Sequence, residues 1–210
     1  MRARRYGTEA TFVDDLAPGE PAMLREILLA AFAAARVRVR DVVPAADTLV
    51  VTHDAAEVAA VSHLITDCSR RLEHLKLETT NYETPVVEIP VRYDGEDLRA
   101  VAESCSLSVN ELIALHAGAE YRAEFCGFAP GFAYLRGLPA VLHVPRRASP
   151  RTRVPAGAVA IAAEYSAVYP RESPGGWHLL GTTSLVMWDA ARPAPALLVP
   201  GARVRFVEVK

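Results

Sequence analysis

The chain is poor in lysine, in cysteine, in long apolar runs and, over one stretch, in acid. Lysine occurs only at Lys76 and Lys210, so arginine carries nearly all the positive charge. With a formal net charge of -2, the chain has no global attraction for nucleic acid or an anionic membrane. Cys68, Cys105 and Cys126 are odd in number, widely spaced and free of any CxxC pair. That argues against a structural zinc site or a disulfide framework and fits a reducing, cytoplasmic setting. The longest apolar run, Ile27–Ala35, is too short to span a bilayer, and no apolar stretch follows Arg2, Arg4 and Arg5 as a signal peptide requires. There is no GxxxxGK phosphate loop, GxSxG nucleophile elbow or HExxH motif. His53, His63, His74, His116, His143 and His178 do not fall at the short spacings of a local metal site, so no metal is expected in this chain.

What is present reads as a soluble α+β protein, 51% hydrophobic and 23% charged, which is enough apolar residue to bury a core. In residues 1–84, a first strand is expected near Thr11–Val13. Leu24, Ile27, Leu28, Ala31, Phe32 and Ala35 then recur at helical spacing. Val37–Val43 and Thr48–Thr52 read as strands. Asp54 and Glu57 have the spacing of a capping box before a stripe of Val61, Leu64, Ile65, Cys68, Leu72 and Leu75. With a last strand near Pro85–Val91, the order fits a ferredoxin-like sandwich. Beyond Asn81-Tyr82-Glu83-Thr84-Pro85 the texture changes, and 85–210 reads as a second domain. Two short helices, the second opened by a capping box at Ser108 and Glu111, precede many short strands punctuated by Gly and Pro. Strands are expected at Tyr121–Phe125, Val141–Val144, Ala158–Ala162, Ala167–Tyr169, Leu185–Trp188 and Arg203–Val209. That pattern predicts a small closed barrel with helical plugs.

Between Glu124 and Glu164 there is no acid, yet Arg136, Arg146, Arg147, Arg151 and Arg153 fall there. Guanidinium forks bind carboxylates and phosphates in bidentate fashion, and Pro145, Pro150 and Pro155 hold the intervening backbone extended or turned. Arg146, Arg147 and Arg151 are therefore candidate anion-binding residues, although arginines in such a run also serve as partners of structural acids. Two glycine-bearing aromatic turns accompany them, Cys126–Phe132 and Ser173–Trp177, with Phe128, Gly131, Tyr134, Gly175, Gly176 and Trp177 as candidate substrate contacts. Tyr134, Tyr165 and Tyr169 read as core residues whose hydroxyls can reach a site, and His116 and Tyr169 are candidate proton-transfer or orienting groups, each with packing as its plainer role.

The ordered set Gly127-Phe128-Ala129-Pro130-Gly131-Phe132-Ala133-Tyr134-Leu135, Pro145-Arg146-Arg147, Pro150-Arg151, Val154-Pro155-Ala156-Gly157, Tyr169-Pro170 and Ser173-Pro174-Gly175-Gly176-Trp177 resembles one family. It is the family of the 5-oxoprolinase B subunit, allophanate hydrolase subunit 1 and Kip-type kinase inhibitors (carboxyltransferase subdomains C and D). Pro90–Gly95, Asp97-Leu98, His116 and Pro200–Phe206 fit the same pattern. The resemblance implies an N-terminal ferredoxin-like domain, a C-terminal cyclophilin-like barrel and a partner of the allophanate hydrolase subunit 2 or 5-oxoprolinase C type, with an A subunit as a further partner. It implies ATP-driven opening of 5-oxoproline to glutamate, with ATP bound with the partner subunits and a small anionic amide as substrate.

Relatives of other kinds transfer a carboxyl group to urea or inhibit a sporulation histidine kinase. A prolyl isomerase is a further reading from barrel shape alone. Ala158, Ala163-Glu164-Tyr165 and Thr182 depart from the family pattern beside the expected site, which leaves the substrate open.

Overall fold

The structure, a computed structural model, describes residues 1–78 and 85–210. The chain divides into two compact units, Met1–Glu83 and Thr84–Lys210. In the first, helix α1 (Glu20–Ala35) carries Pro21 in its opening turn, where a missing N–H breaks no helical bond. Leu24, Leu28 and Phe32, four residues apart, line its buried face. Strands β1 (Arg2–Arg5), β2 (Ala10–Asp14), β3 (Val39–Pro44) and β4 (Leu49–His53) form a sheet of antiparallel pairs in the order β1-β2-β4-β3. Its inward residues Val13, Val42, Leu49 and Val51 pack with α1 and with Val61, Ile65 and Leu72 of α2 (Val58–Glu78).

β2, α1 and β3 thus form a split βαβ unit with β4 inserted between the strands, an arrangement that a ferredoxin-like sandwich contains. The fourth place in that sheet is filled differently from expectation. β1, a fully exposed arginine-rich strand with no apolar periodicity to announce it, takes the edge beside β2. The strand expected there, β5 (Val86–Val91), belongs to the second unit. Asp54 makes no capping hydrogen bond before the 3-10 turn Ala55–Glu57; it sits 3.4 Å from Arg40 instead. The Leu75 side chain and the junction Asn81-Tyr82-Glu83-Thr84 lie outside the described residues.

The second unit contains α3 (Leu98–Ser104), α4 (Val109–Gly118), β6 (Tyr121–Cys126), β7 (Ala133–Arg136), β8 (Arg151–Val154), β9 (Ala158–Ala162), β10 (Tyr165–Val168), β11 (Ser173–Gly175), β12 (His178–Thr182) and β13 (Arg203–Glu208). The capping box of α4 is complete, with Ser108 accepting from the Glu111 amide and Glu111 accepting from the Ser108 amide. Seven strands follow one another as β12-β9-β10-β7-β6-β13-β5, with β5 and β13 parallel. Beyond β5, Arg92 exchanges two backbone hydrogen bonds with Thr182 of β12, so the two edges meet and the sheet nearly closes into a barrel. Every strand of that sheet sends residues inward, among them Ile89, Ala123, Leu135, Ile161, Val168, Leu180 and Phe206. Leu98, Val101 and Leu112 from the helices plug this interior. β8 and β11 pair separately as a two-stranded flap. Val141–Val144, expected as a strand, begins with a 3-10 turn over Ala140–Leu142, and Leu185–Trp188 forms only a single bridge through Trp188.

The seam is close-fitting. A Cβ on Gly181 would collide with the Arg92 carbonyl, whereas one on Gly118 would meet nothing. Gly181→Ala is expected to lower the unfolding free energy by about 1–3 kcal/mol in urea denaturation, as overpacking does. Gly118→Ala should leave it unchanged or raised.

Candidate functional site

Strand alternation sorts the wall made by β7, β9 and β10 into two faces. Val159 and Ile161 of β9 and Val168 of β10 point into the barrel, while Ala158, Ala160, Ala162, Tyr165, Ala167 and Tyr169 point outward into a second cluster. Four alanines leave room for rings, and the space is filled by Phe132, Tyr134, Tyr165, Tyr169 and Trp177. Phe132 is the hub, with its centroid 5.1 Å from Tyr134, 5.4 Å from Tyr169 and 5.6 Å from Trp177, all edge-to-face. Phe125 stacks on Tyr134 at 4.2 Å. Phe128 caps the group 5.2 Å from Phe132, yet it is 58% exposed and held at a left-handed φ of 67°. A non-glycine residue there costs of order 1–3 kcal/mol, the kind of strain that collects at ligand clamps. Gly131, also left-handed, fixes the same loop against Trp188, where a Cβ would come within 2.8 Å of the Trp188 Cβ.

At one margin of this face the expected arginines meet a partner from the start of α3. Asp97 precedes the helix and is buried, and its Oδ1 accepts from Arg147 Nη1 and Arg151 Nη2 at 2.8 Å each. Its Oδ2 accepts from the Leu179 amide of β12 at 2.7 Å. Burial raises the Asp97 carboxyl, but the Arg151 and Leu179 hydrogen bonds and the two guanidinium charges outweigh it and hold the group below its ordinary range. Arg151 also reaches Glu96 at 3.2 Å. Arg147 Nε and Arg151 Nη1 are each buried without a partner among the described residues. Arg147 donates its backbone amide to the Gly176 carbonyl, and Gly176 packs against the Pro150 ring.

Arg146 is exposed and makes no ion pair or hydrogen bond among the described residues, but its charge acts on Tyr169. Burial raises the Tyr169 phenol; a hydrogen bond from the Trp177 amide and the charges of Arg146 and Arg151 pull partly against it. Gly175 lies so close to the Tyr169 hydroxyl that any Cβ would overlap it. The structure therefore brings together Arg146, Arg147, Arg151, Tyr169, Gly175, Gly176, Trp177, Tyr134, Phe128 and Gly131.

His116 stands apart from that group. It is fully buried inside the barrel, stacked 4.5 Å from Phe206, with Nδ1 2.7 Å from Tyr93 Oη and Nε2 3.0 Å from Ser166 Oγ. Ser166 and Tyr169 lie on opposite faces of the β10 wall, so the two proton-transfer candidates are separated by it. Burial holds His116 neutral, with its pKa lowered to about 3.

Sequence reasoning does not single out Glu124, and it names Arg136 only within the arginine run and Tyr165 only as a core tyrosine with a hydroxyl. Alternation from the inward Ala123 places Glu124 on the outer face, and the bulge between Ala123 and Phe125 brings Phe125 out beside it; there Glu124 accepts from Arg136 Nε at 2.8 Å and from Tyr165 Oη at 2.6 Å. Asp97 was visible only as half of a dipeptide motif, and Glu124 only as the end of the acid-free run. Of the departures from the family pattern, Ala158 is part of the alanine floor, Glu164 lies 3.5 Å from Arg136, and Thr182 donates to Asp94 at the seam.

Residues 1–198 match the family described as carboxyltransferase domain, subdomain C and D. The chain belongs to that family. It is 50% identical over 136 residues to the B subunit of 5-oxoprolinase from Escherichia coli O157:H7, a match covering 63% of this chain and 62% of that protein. It is 39% identical over 180 residues to the B subunit of 5-oxoprolinase from Bacillus subtilis (strain 168), covering 80% of this chain and 74% of that one. The crystal structure of TTHA0988 superimposes with a TM-score of 0.76 at 38% identity, over 96% of this chain and 39% of the other. The chain thus spans less than two thirds of the Escherichia coli relative and well under half of the TTHA0988 chain. Among the described residues no helix is long and apolar enough to cross a membrane, and no group of three or more His, Cys, Asp or Glu could hold a metal.

Two pH effects follow. Asp97 is depressed in the fold, so its contribution is complete above its unfolded value of about 4 and is lost as pH falls through the folded value. Asp97→Asn should cost about 3 kcal/mol at neutral pH, because two arginines lose their shared buried partner, and should flatten this most acidic part of the stability curve. His116 takes up a proton near pH 6.5 when unfolded and near 3 when folded, so stability falls with acid across that window by up to about 1.4 kcal/mol per pH unit. In denaturation curves between about pH 6 and 4, His116→Phe should show a shallower slope than the parent chain.

Proposed function

We propose that the chain is the B-type subunit of an ATP-dependent 5-oxoprolinase and contributes a substrate-binding wall to a site completed by partner subunits. The observation that carries this reading is the aromatic outer face with a guanidinium, Arg146, unpaired among the described residues at its margin beside Tyr169. A planar lactam suits edge and face contacts with Phe128, Tyr134 and Trp177, and its carboxylate suits Arg146. The relatives named as 5-oxoprolinase B subunits support the choice of substrate.

In this reading, Arg146 orients the substrate through its carboxylate. Arg147 and Arg151, already clamped on Asp97, supply positive potential rather than free forks. The Tyr169 phenol stays protonated and is the hydrogen-bond donor for charge developing on the lactam oxygen. Tyr169 therefore takes the role at the reacting centre, and His116 serves inside the barrel. With a single unpaired arginine from the candidate set on this margin, the donors fit a monoanionic amide better than a nucleotide triphosphate. ATP, which would supply the activating phosphoryl group, is therefore assigned to the partner subunits. Exposed Phe128 and Trp188, which flank the Gly131 contact, suit burial against an allophanate hydrolase subunit 2 or 5-oxoprolinase C type partner. A sensor kinase would use the same apolar surface, which makes inhibition of a histidine kinase the second reading.

Co-expression with the A and C subunits is expected to give a stable complex with ATP hydrolysis dependent on 5-oxoproline. Arg146→Ala should lower kcat/KM for 5-oxoproline by about 10–100-fold, the worth of one charged hydrogen bond. A complex that hydrolyses no ATP in response to 5-oxoproline would overturn this reading and leave the kinase-binding one.

A further inference from the structure

The aromatic face carries a second charged group, at Tyr165, and the function proposed above leaves it unused. The bulge in β6 spends one residue of sheet pairing to bring Glu124 out of register, so that Glu124 and Phe125 both leave the barrel side on which Ala123 lies. The Glu124 side chain is only 2% exposed. A carboxylate in such a place is costly unless its lone pairs are filled, and here Arg136 Nε and Tyr165 Oη fill them.

The group is cross-linked internally, with Glu164 as a further, more exposed partner of Arg136 at 3.5 Å. Arg136 Nη2 donates to Tyr165 Oη at 2.9 Å, and the Arg136 guanidinium lies 5.1 Å from the Tyr165 ring centre. Tyr165 in turn stands edge-on to Phe125 at 5.8 Å and to Tyr134 at 5.6 Å, and Tyr134 meets Trp177 at 5.6 Å. One buried carboxylate therefore fixes a hydroxyl, the hydroxyl fixes a ring, and that ring abuts the two stacked rings of the candidate binding face. Nothing in the folding of the barrel calls for a buried charge at this point, since an apolar pair of similar size would fill the same wall.

We infer that Glu124 is a positioning residue: through Tyr165 it sets the placement of Phe125 and Tyr134, and it holds the Arg136 charge in a closed pair beside the aromatic face. The consequence for ligand selection rests on the functional reading above, but the positioning itself does not. With Glu124 in place, Arg136 is paired, and Arg146 is the cation left to a ligand among the described arginines of the site. A ligand with a single anionic group is then bound in one orientation only. With Glu124 neutralised, Arg136 keeps only the half-exposed Glu164 at 3.5 Å, so a less fully compensated second cation borders the face and a ligand can bind in either direction.

The test uses Glu124→Gln, which keeps shape but removes the charge and exchanges one acceptor oxygen for a donor, and Tyr165→Phe, which keeps the ring and removes the hydroxyl. In the isolated chain, alkaline titration of tyrosinate absorbance is the first readout. Burial and the hydrogen bond to Glu124 both raise the Tyr165 phenol. Glu124→Gln should therefore bring one tyrosine into titration at lower pH than in the parent, and adding Tyr165→Phe to it should abolish that new step. An unchanged titration in Glu124→Gln overturns the positioning role whatever the complex does.

In the assembled complex, Glu124→Gln and Tyr165→Phe should each raise KM for 5-oxoproline about tenfold, with kcat less affected. Glu124→Gln should also admit a dicarboxylic analogue as an inhibitor that the parent binds poorly. Parent-like KM and inhibitor selectivity in both variants would overturn the link to ligand selection. Absence of any 5-oxoproline response in the parent complex would overturn the functional reading while leaving the titration result to stand. If Glu124→Gln does not fold, Tyr165→Phe alone decides: a folded variant with raised KM supports the inference, and a parent-like KM overturns it.

Discussion

The second unit depends on Asp97. Its carboxylate stands at the start of α3, receives the Leu179 amide of β12 and takes a guanidinium hydrogen bond from each of Arg147 and Arg151. Helix, barrel wall and the flap strand β8 are thus tied through two oxygens of one side chain. A buried charge of this kind adds little net stability over an apolar substitute, but it tolerates few alternative arrangements, since any slip leaves a guanidinium unpaired. The arginine-rich loop is accordingly held by electrostatic geometry. Arg146, adjacent to the clamped Arg147, is left without a partner among the described residues, beside Tyr169. Placement of the free cation follows from immobilising its neighbours.

Much of the architecture was legible because it rests on periodicity. Leu24, Leu28 and Phe32 announced α1, Ser108 and Glu111 announced α4, and the Gly/Pro-punctuated strands announced a barrel. What failed was structure without a periodic signal. β1 has four exposed residues, three of them arginine, and is a strand because β2 offers an open edge. Val141–Val144 has strand composition but turns after Pro139, where tertiary contacts override local preference. β5 has the composition of a strand in either unit, and chain order cannot say which sheet it enters.

The site was half legible for a related reason. Sequence showed where arginine was abundant and acid absent, but the relevant quantity was which arginine lacks a partner. Asp97 lies 50 residues before Arg147. Glu124 lies 41 residues before Tyr165, and a bulge brings Phe125 out beside it against the strand's alternation. Separations of that size are settled by the fold. His116 illustrates the converse: a histidine that fits the family pattern lies inside the barrel, across a one-strand-thick wall from Tyr169, a distinction of side-chain parity that helix periodicity does not encode.

The alanines of β9 and β10 have a meaning beyond permitting rings. Ala158, Ala160, Ala162 and Ala167 set how deep the aromatic side chains seat, so the wall behaves as a depth gauge with its zero at the methyl group. Each added carbon would lift the overlying ring toward solvent, with no charged residue altered. Ala158 in particular keeps that floor free of any hydroxyl that would need a partner beneath the rings. Single-carbon steps below the surface can therefore reshape the aromatic face independently of the arginines at its margin.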